Sequence, residues 1–123
     1  MLQGDFFTIL FTQQEDVSGR VVIKLNPNHP IFAGHFPGQP VLPGACLLQM
    51  VKETMQNFTG EELQLVKANH LKFISIIDPS KNNILEMALT HKRSENNEWV
   101  VSATLTDGAT TCFKFSGSFK GTQ

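Results

Sequence analysis

The chain has 123 residues, with 10 Lys+Arg against 11 Asp+Glu and a net charge of −1, a length that suits one domain of about 100–200 residues. Hydrophobic residues make up 41 %, including ten Phe, one Trp and no Tyr, so a substantial core can form. The balanced charge excludes nucleic acid as the main partner, because neutralising phosphates requires a basic excess or stripe. No apolar run approaches the roughly 20 residues of a membrane span. Met1 is followed by Leu2-Gln3-Gly4-Asp5 rather than by a basic leader, so a cytoplasmic chain is expected. Cys46 and Cys112 suit a reducing compartment and are expected as thiols.

Asp5 to Glu15 (DFFTILFTQQE) is rich in Phe, Ile and Thr and reads as a strand. Asp16-Val17-Ser18-Gly19 is turn chemistry, and Arg20 to Leu25 completes a hairpin. Asn26 to Pro43 carries five of the six prolines and reads as irregular. Gly44 to Phe58 is a helix with apolar residues on nearly every side, ended by Thr59-Gly60. Such a helix must be covered, most economically by a sheet. Leu63 to Ile77, Ile84 to Lys92, Trp99 to Thr106 and Thr110 to Phe119 then read as strands, the last two joined by Asp107-Gly108. No repeat, low-complexity tract or linker interrupts residues 1–123, which are read as a single domain. The layout predicted is α+β: one long helix against an antiparallel sheet of about six strands.

The chemistry concentrates in His29-Pro-Ile-Phe-Ala-Gly-His-Phe-Pro-Gly-Gln-Pro-Val-Leu-Pro-Gly44. Pro30, Pro37, Pro40 and Pro43 stiffen this segment, which presents His35 and then delivers Gly44 to a helix N-terminus. An imidazole can act as a base near neutral pH. The N–H groups of a first helical turn can hold a carbonyl oxygen as it gains negative charge. Together they suit proton abstraction α to a carbonyl. His29 and His35 have no third ligand at useful spacing, so no metal and no cofactor is expected. His70 and His91, beside Lys67, Lys72, Lys92 and Arg93, are expected to face solvent. Cys46 reads as a small buried hydrophobe.

The run HPIFAGHFPGQPVLPGACLLQM resembles the central signature of the 3-hydroxyacyl-acyl-carrier-protein dehydratases, a hotdog-fold family. The resemblance implies a long central helix wrapped by a curved antiparallel sheet, and dimers whose sites straddle the interface beside an acyl tunnel. It implies that His35 takes the α-proton of a 3-hydroxyacyl thioester while the Gly44 N–H holds the thioester carbonyl. Phe36, Pro37, Val41, Leu42, Pro43 and Leu48 become candidates for the substrate wall. An acidic residue stands fourteen positions after the His in that family and protonates the departing hydroxyl across the dimer; here the position is Gln49. A glutamine amide can orient a hydroxyl but is no practical general acid, a role worth roughly 10²–10⁴-fold in rate. Glu53, one turn further along the same face, is a candidate accessory acid, although it stands about 6 Å down the helix.

Three functions compete on these residues. The first is a dehydratase acting on acyl-carrier-protein or CoA thioesters. The second is a non-catalytic or half-catalytic subunit whose hotdog partner brings the carboxylate, in a homodimer, heterodimer or higher oligomer. The third is an acyl thioesterase or acyl-thioester binding module, since one scaffold hosts several activities. An acidic carrier calls for a basic docking patch, to which Lys67, Lys72, Lys92 and Arg93 are candidates.

Overall fold

The computed structural model describes residues 2–35 and 42–122, with residues 33–35 in backbone alone. Strands β1 (Phe7–Gln14) and β2 (Ser18–Leu25) form the expected hairpin, in register from Phe7↔Leu25 to Gln14↔Gly19 with a bulge between Ile9 and Phe11. The first strand opens at Phe7 rather than Asp5 because the residues before it hook back on themselves. Leu2 O accepts the N–H of Phe6 at 2.8 Å, and Phe7 O accepts that of Gly4 at 2.7 Å.

The proline-rich stretch is not irregular throughout: Pro30–His35 forms a short helix, α1. Pro30 takes the first helical position, where its missing N–H costs nothing. His29 caps this helix, its ring Nδ1 accepting the N–H of Ile31 at 3.1 Å. The longer helix α2 (Gly44–Thr59) follows and ends at Gly60, whose φ of 72° is the left-handed conformation usual after a helix.

The remaining strands are β3 (Leu63–Phe73), β4 (Ile84–Arg93), β5 (Trp99–Asp107) and β6 (Thr110–Gly121). β3 stops at Phe73 rather than Ile77, because Ile74 and Ser75 both turn their N–H groups onto Cys112 O. The strands make one antiparallel sheet in the order β1-β2-β4-β5-β6-β3. Between β2 and β4 the chain inserts both helices and the edge strand β3.

The inner face follows strict alternation in the central strands. Val21, Ile23 and Leu25, then Leu85, Met87 and Leu89, then Val101, Ala103 and Leu105 are all buried. β6 adds Phe113, Phe115 and Phe119. This face covers α2, whose Met50, Val51 and Met55 are fully enclosed. Cys46 and Cys112 are both buried and unbonded to each other, and burial pushes both thiols above their ordinary range. The architecture is the hotdog fold.

Candidate active site

The start of α2 is built for a close approach. Pro43 precedes the helix with extended φ and ψ, and no side chain among the described residues caps the first turn. Pro43 O takes the N–H groups of Cys46 and Leu47, while those of Gly44 and Ala45 take no partner among the described residues. Over this end lies the ring of Phe73, tilted against Phe113 with centroids 5.3 Å apart. A Cβ on Gly44 would come within 2.8 Å of the far edge of that ring, so glycine lets Phe73 lie close over the helix start and a larger residue would push the ring aside. Phe73 is itself 57 % exposed, so its ring flanks these two backbone donors on one side and leaves them open to a ligand on the other.

One turn and a half further on stands Gln49, half-buried, with its Nε2 donating to Glu53 Oε2 at 2.8 Å. Glu53 is fully enclosed. Its Oε1 accepts the N–H groups of Leu2 at 3.0 Å and Gln3 at 2.8 Å, and its Oε2 accepts that of Leu2 at 2.7 Å. Asn57 Nδ2 holds the Gln3 side-chain carbonyl at 2.8 Å, fastening the hook to α2. The expectation of an accessory acid at Glu53 therefore meets a different geometry. The carboxylate is walled in, and every group around it is a donor, so it serves as an acceptor inside the fold.

His35 closes α1. Its side chain lies outside the described residues, as do Phe36, Pro37 and Val41. Of the remaining wall candidates, Leu42 and Pro43 are buried and Leu48 is half-buried against the core. Leu42 donates its N–H to Ile77 O at 2.9 Å, which pins the entry to α2 against the segment after β3. His29 spends both ring nitrogens: Nδ1 caps α1, and Nε2 meets Asp5 Oδ2 at 3.1 Å. An open groove of about 470 Å³ on the outer face of the sheet, lined by Arg20, Ala88 and Thr104 among others, shares no residue with the α2 start.

The ApeI-like family profile, described as ApeI dehydratase, matches residues 12–114. The chain belongs to the ApeI-like dehydratase family. It is 33 % identical over 98 residues to the 3-hydroxyacyl-[acyl-carrier-protein] dehydratase FabZ of Enterococcus faecalis, covering 72 % of this chain and 70 % of that one. To FabZ of Cereibacter sphaeroides it is 32 % identical over 79 residues, and the match spans 51 % of that relative. Among solved structures, the dehydratase heterocomplex ApeI:P from Xenorhabdus doucetiae superposes with a TM-score of 0.72 at 18 % identity, covering 91 % of this chain and 96 % of that one. An uncharacterised Erwinia carotovora protein superposes with a TM-score of 0.62 at 25 % identity, covering 91 % and 92 %.

In this ApeI-like chain the candidates Gly44 and Gln49 lie on one helix, α2, while the candidate His35 lies on the helix before it. Two neighbours of these candidates were not visible in the sequence. Phe73 reads as one more apolar strand residue, and only the approach to Gly44 reveals it. The donors from Leu2 and Gln3 are backbone amides, which carry no residue identity at all.

Proposed function

We propose that this chain provides the histidine half of a dehydratase for 3-hydroxyacyl thioesters, completed by a hotdog partner that brings a carboxylic acid. His35 removes the α-proton. The Gly44 N–H holds the thioester oxygen while negative charge builds there. The C3 hydroxyl takes a proton from the partner's acid and leaves as water, and the C2–C3 double bond of the 2-enoyl thioester forms from the electrons of the broken C–H bond. The observation that carries this reading is the start of α2, uncapped by any side chain among the described residues and flanked by Phe73, at the end of the His-Phe-Pro-Gly-Gln-Pro-Val-Leu-Pro-Gly signature.

The exposed edge strand supports the two-chain form. β3 lies at one end of the sheet and exposes Val66, Leu71 and Phe73, followed by Ile74 and Ile76, the last 77 % exposed. A long apolar edge with unpaired backbone groups is a pairing surface. An acidic carrier has cations to meet beside this edge: Lys72 on β3 stands directly opposite Lys114 on β6, and both are exposed. Arg93 is already engaged, paired with Glu61 at 3.3 Å and stacked over Trp99, and Lys67 remains exposed on β3. Enclosed Glu53 is not available to activate a water molecule for thioester hydrolysis.

Enoyl absorbance from a 3-hydroxyacyl thioester tests the proposal, with the chain alone and co-expressed with a related hotdog subunit. His35→Ala is expected to lose about 10²-fold or more. Gln49→Glu is expected to raise the rate of the chain alone at least about tenfold by restoring a carboxyl. No enoyl product from any of these preparations overturns the reading.

A further inference from the structure

The contact between Gln49 and Glu53 has a direction. Around the enclosed carboxylate stand two N–H groups of the amino-terminal hook and the Gln49 amide, and a carboxylate offers them lone pairs only. Turning the Gln49 carbonyl toward Glu53 would bring two acceptors into contact, so the nitrogen end must face inward. Oε1 then lies at the other end of the amide, and it takes no partner among the described residues. The hook that completes the carboxylate's shell is itself tied down, through Asn57 to Gln3 and through Asn26 Nδ2 to Asp5 O at 3.2 Å.

We propose that Glu53 is a positioning residue: with the hook amides it sets Gln49 as a hydrogen-bond acceptor, so this half-site recognises the 3-hydroxyl of an acyl thioester and retains it. The ligand class rests on the dehydratase reading; the orientation of the amide does not. A hydroxyl can donate to Oε1, whereas a 3-oxo group has only lone pairs and meets that oxygen without a bond. An acceptor lends no proton to a departing oxygen, so the hydroxyl is held and not expelled. In a two-chain enzyme this makes the two sites unequal, one turning over and one binding.

Glu53→Gln separates this role from simple structural support. The new side-chain carbonyl can still accept from Leu2 and Gln3, but its amide donates toward Gln49 and reverses that group, donor outward. Binding of 3-hydroxyacyl-pantetheine and 3-oxoacyl-pantetheine is measured by titration calorimetry on the purified protein, with its partner if one co-purifies. Wild type is expected to favour the hydroxy compound about tenfold, the size of one good hydrogen bond, and Glu53→Gln to bring the ratio near unity or below. Nitrogen-edited NMR of wild type is expected to show the Gln49 side-chain N–H exchanging at least about tenfold more slowly than that of exposed Gln64. An unchanged ratio in folded Glu53→Gln overturns the proposal, and so does fast exchange at Gln49. If Glu53→Gln does not fold, removal of residues 1–3 replaces it, with faster exchange at Gln49 expected and unchanged slow exchange overturning the role of the hook. Slow exchange without binding of either thioester removes the ligand assignment and the dehydratase reading together, while the clasp itself stands.

Discussion

His91 shows what a single position in a strand decides. Its neighbours Lys92 and Arg93 are exposed and invite the expectation that it faces water too. It does not: His91 is 6 % exposed, set between Phe58 and Trp99 with centroids 5.9 and 5.8 Å away, and neither ring nitrogen has a hydrogen-bond partner among the described residues. The signal was present in the alternation of β4, where Leu85, Met87, Leu89 and His91 share the inner face. Burial holds its pKa below the ordinary 6.5. The neutral form is therefore favoured in the fold, and the unfolded chain binds more protons as pH drops. The resulting stability is fully present above pH 6.5 and is lost as pH falls from there through the depressed folded value. Melting temperature measured from pH 8 to pH 5 is expected to fall more steeply for wild type than for His91→Leu below pH 6.5; parallel curves would show that His91 is hydrated.

Among the elements, α2 is the one whose ends matter most. Its apolar residues were readable from composition, and Thr59-Gly60 as its stop, but the reason for Gly44 at its start was not. Helix propensity alone favours alanine over glycine, whereas a Cβ would have to displace the edge of the Phe73 ring. Gly44→Ala is expected to lower stability by about 1–3 kcal/mol through overpacking and, on the proposed mechanism, to reduce enoyl formation by shifting the N–H from the thioester oxygen. Thermal melting together with the rate assay checks this, and a more stable variant would show that Phe73 swings aside freely. α1 escaped the sequence reading because prolines and glycines dominate its segment. Proline at a first helical position and a histidine acting as cap are weak signals until the neighbouring chain is in place.

For the molecule as a whole, the sheet has two ends, and the β3 end is the more apolar and the closer to the α2 start through Phe73. Charges introduced on that edge should block pairing with a second chain. Val66→Lys with Leu71→Lys is expected to halve the mass seen by light scattering while leaving circular dichroism unchanged, and an unaltered mass would place the interface elsewhere. Within the described residues, no helix is long and apolar enough to cross a membrane. By itself the sequence determined the α+β layout, the strand partners joined by tight turns, the enclosed helix and the His-Phe-Pro-Gly signature, because periodicity and turn chemistry are local. Set beside the family it resembles, the sequence also showed Gln49 where that family carries an acid. Only the tertiary structure decided that Glu53 is an inward acceptor, that the hook amides complete it and that Phe73 roofs Gly44. Those contacts join residues about fifty and thirty positions apart through backbone groups and ring faces, which leave no mark in a linear pattern.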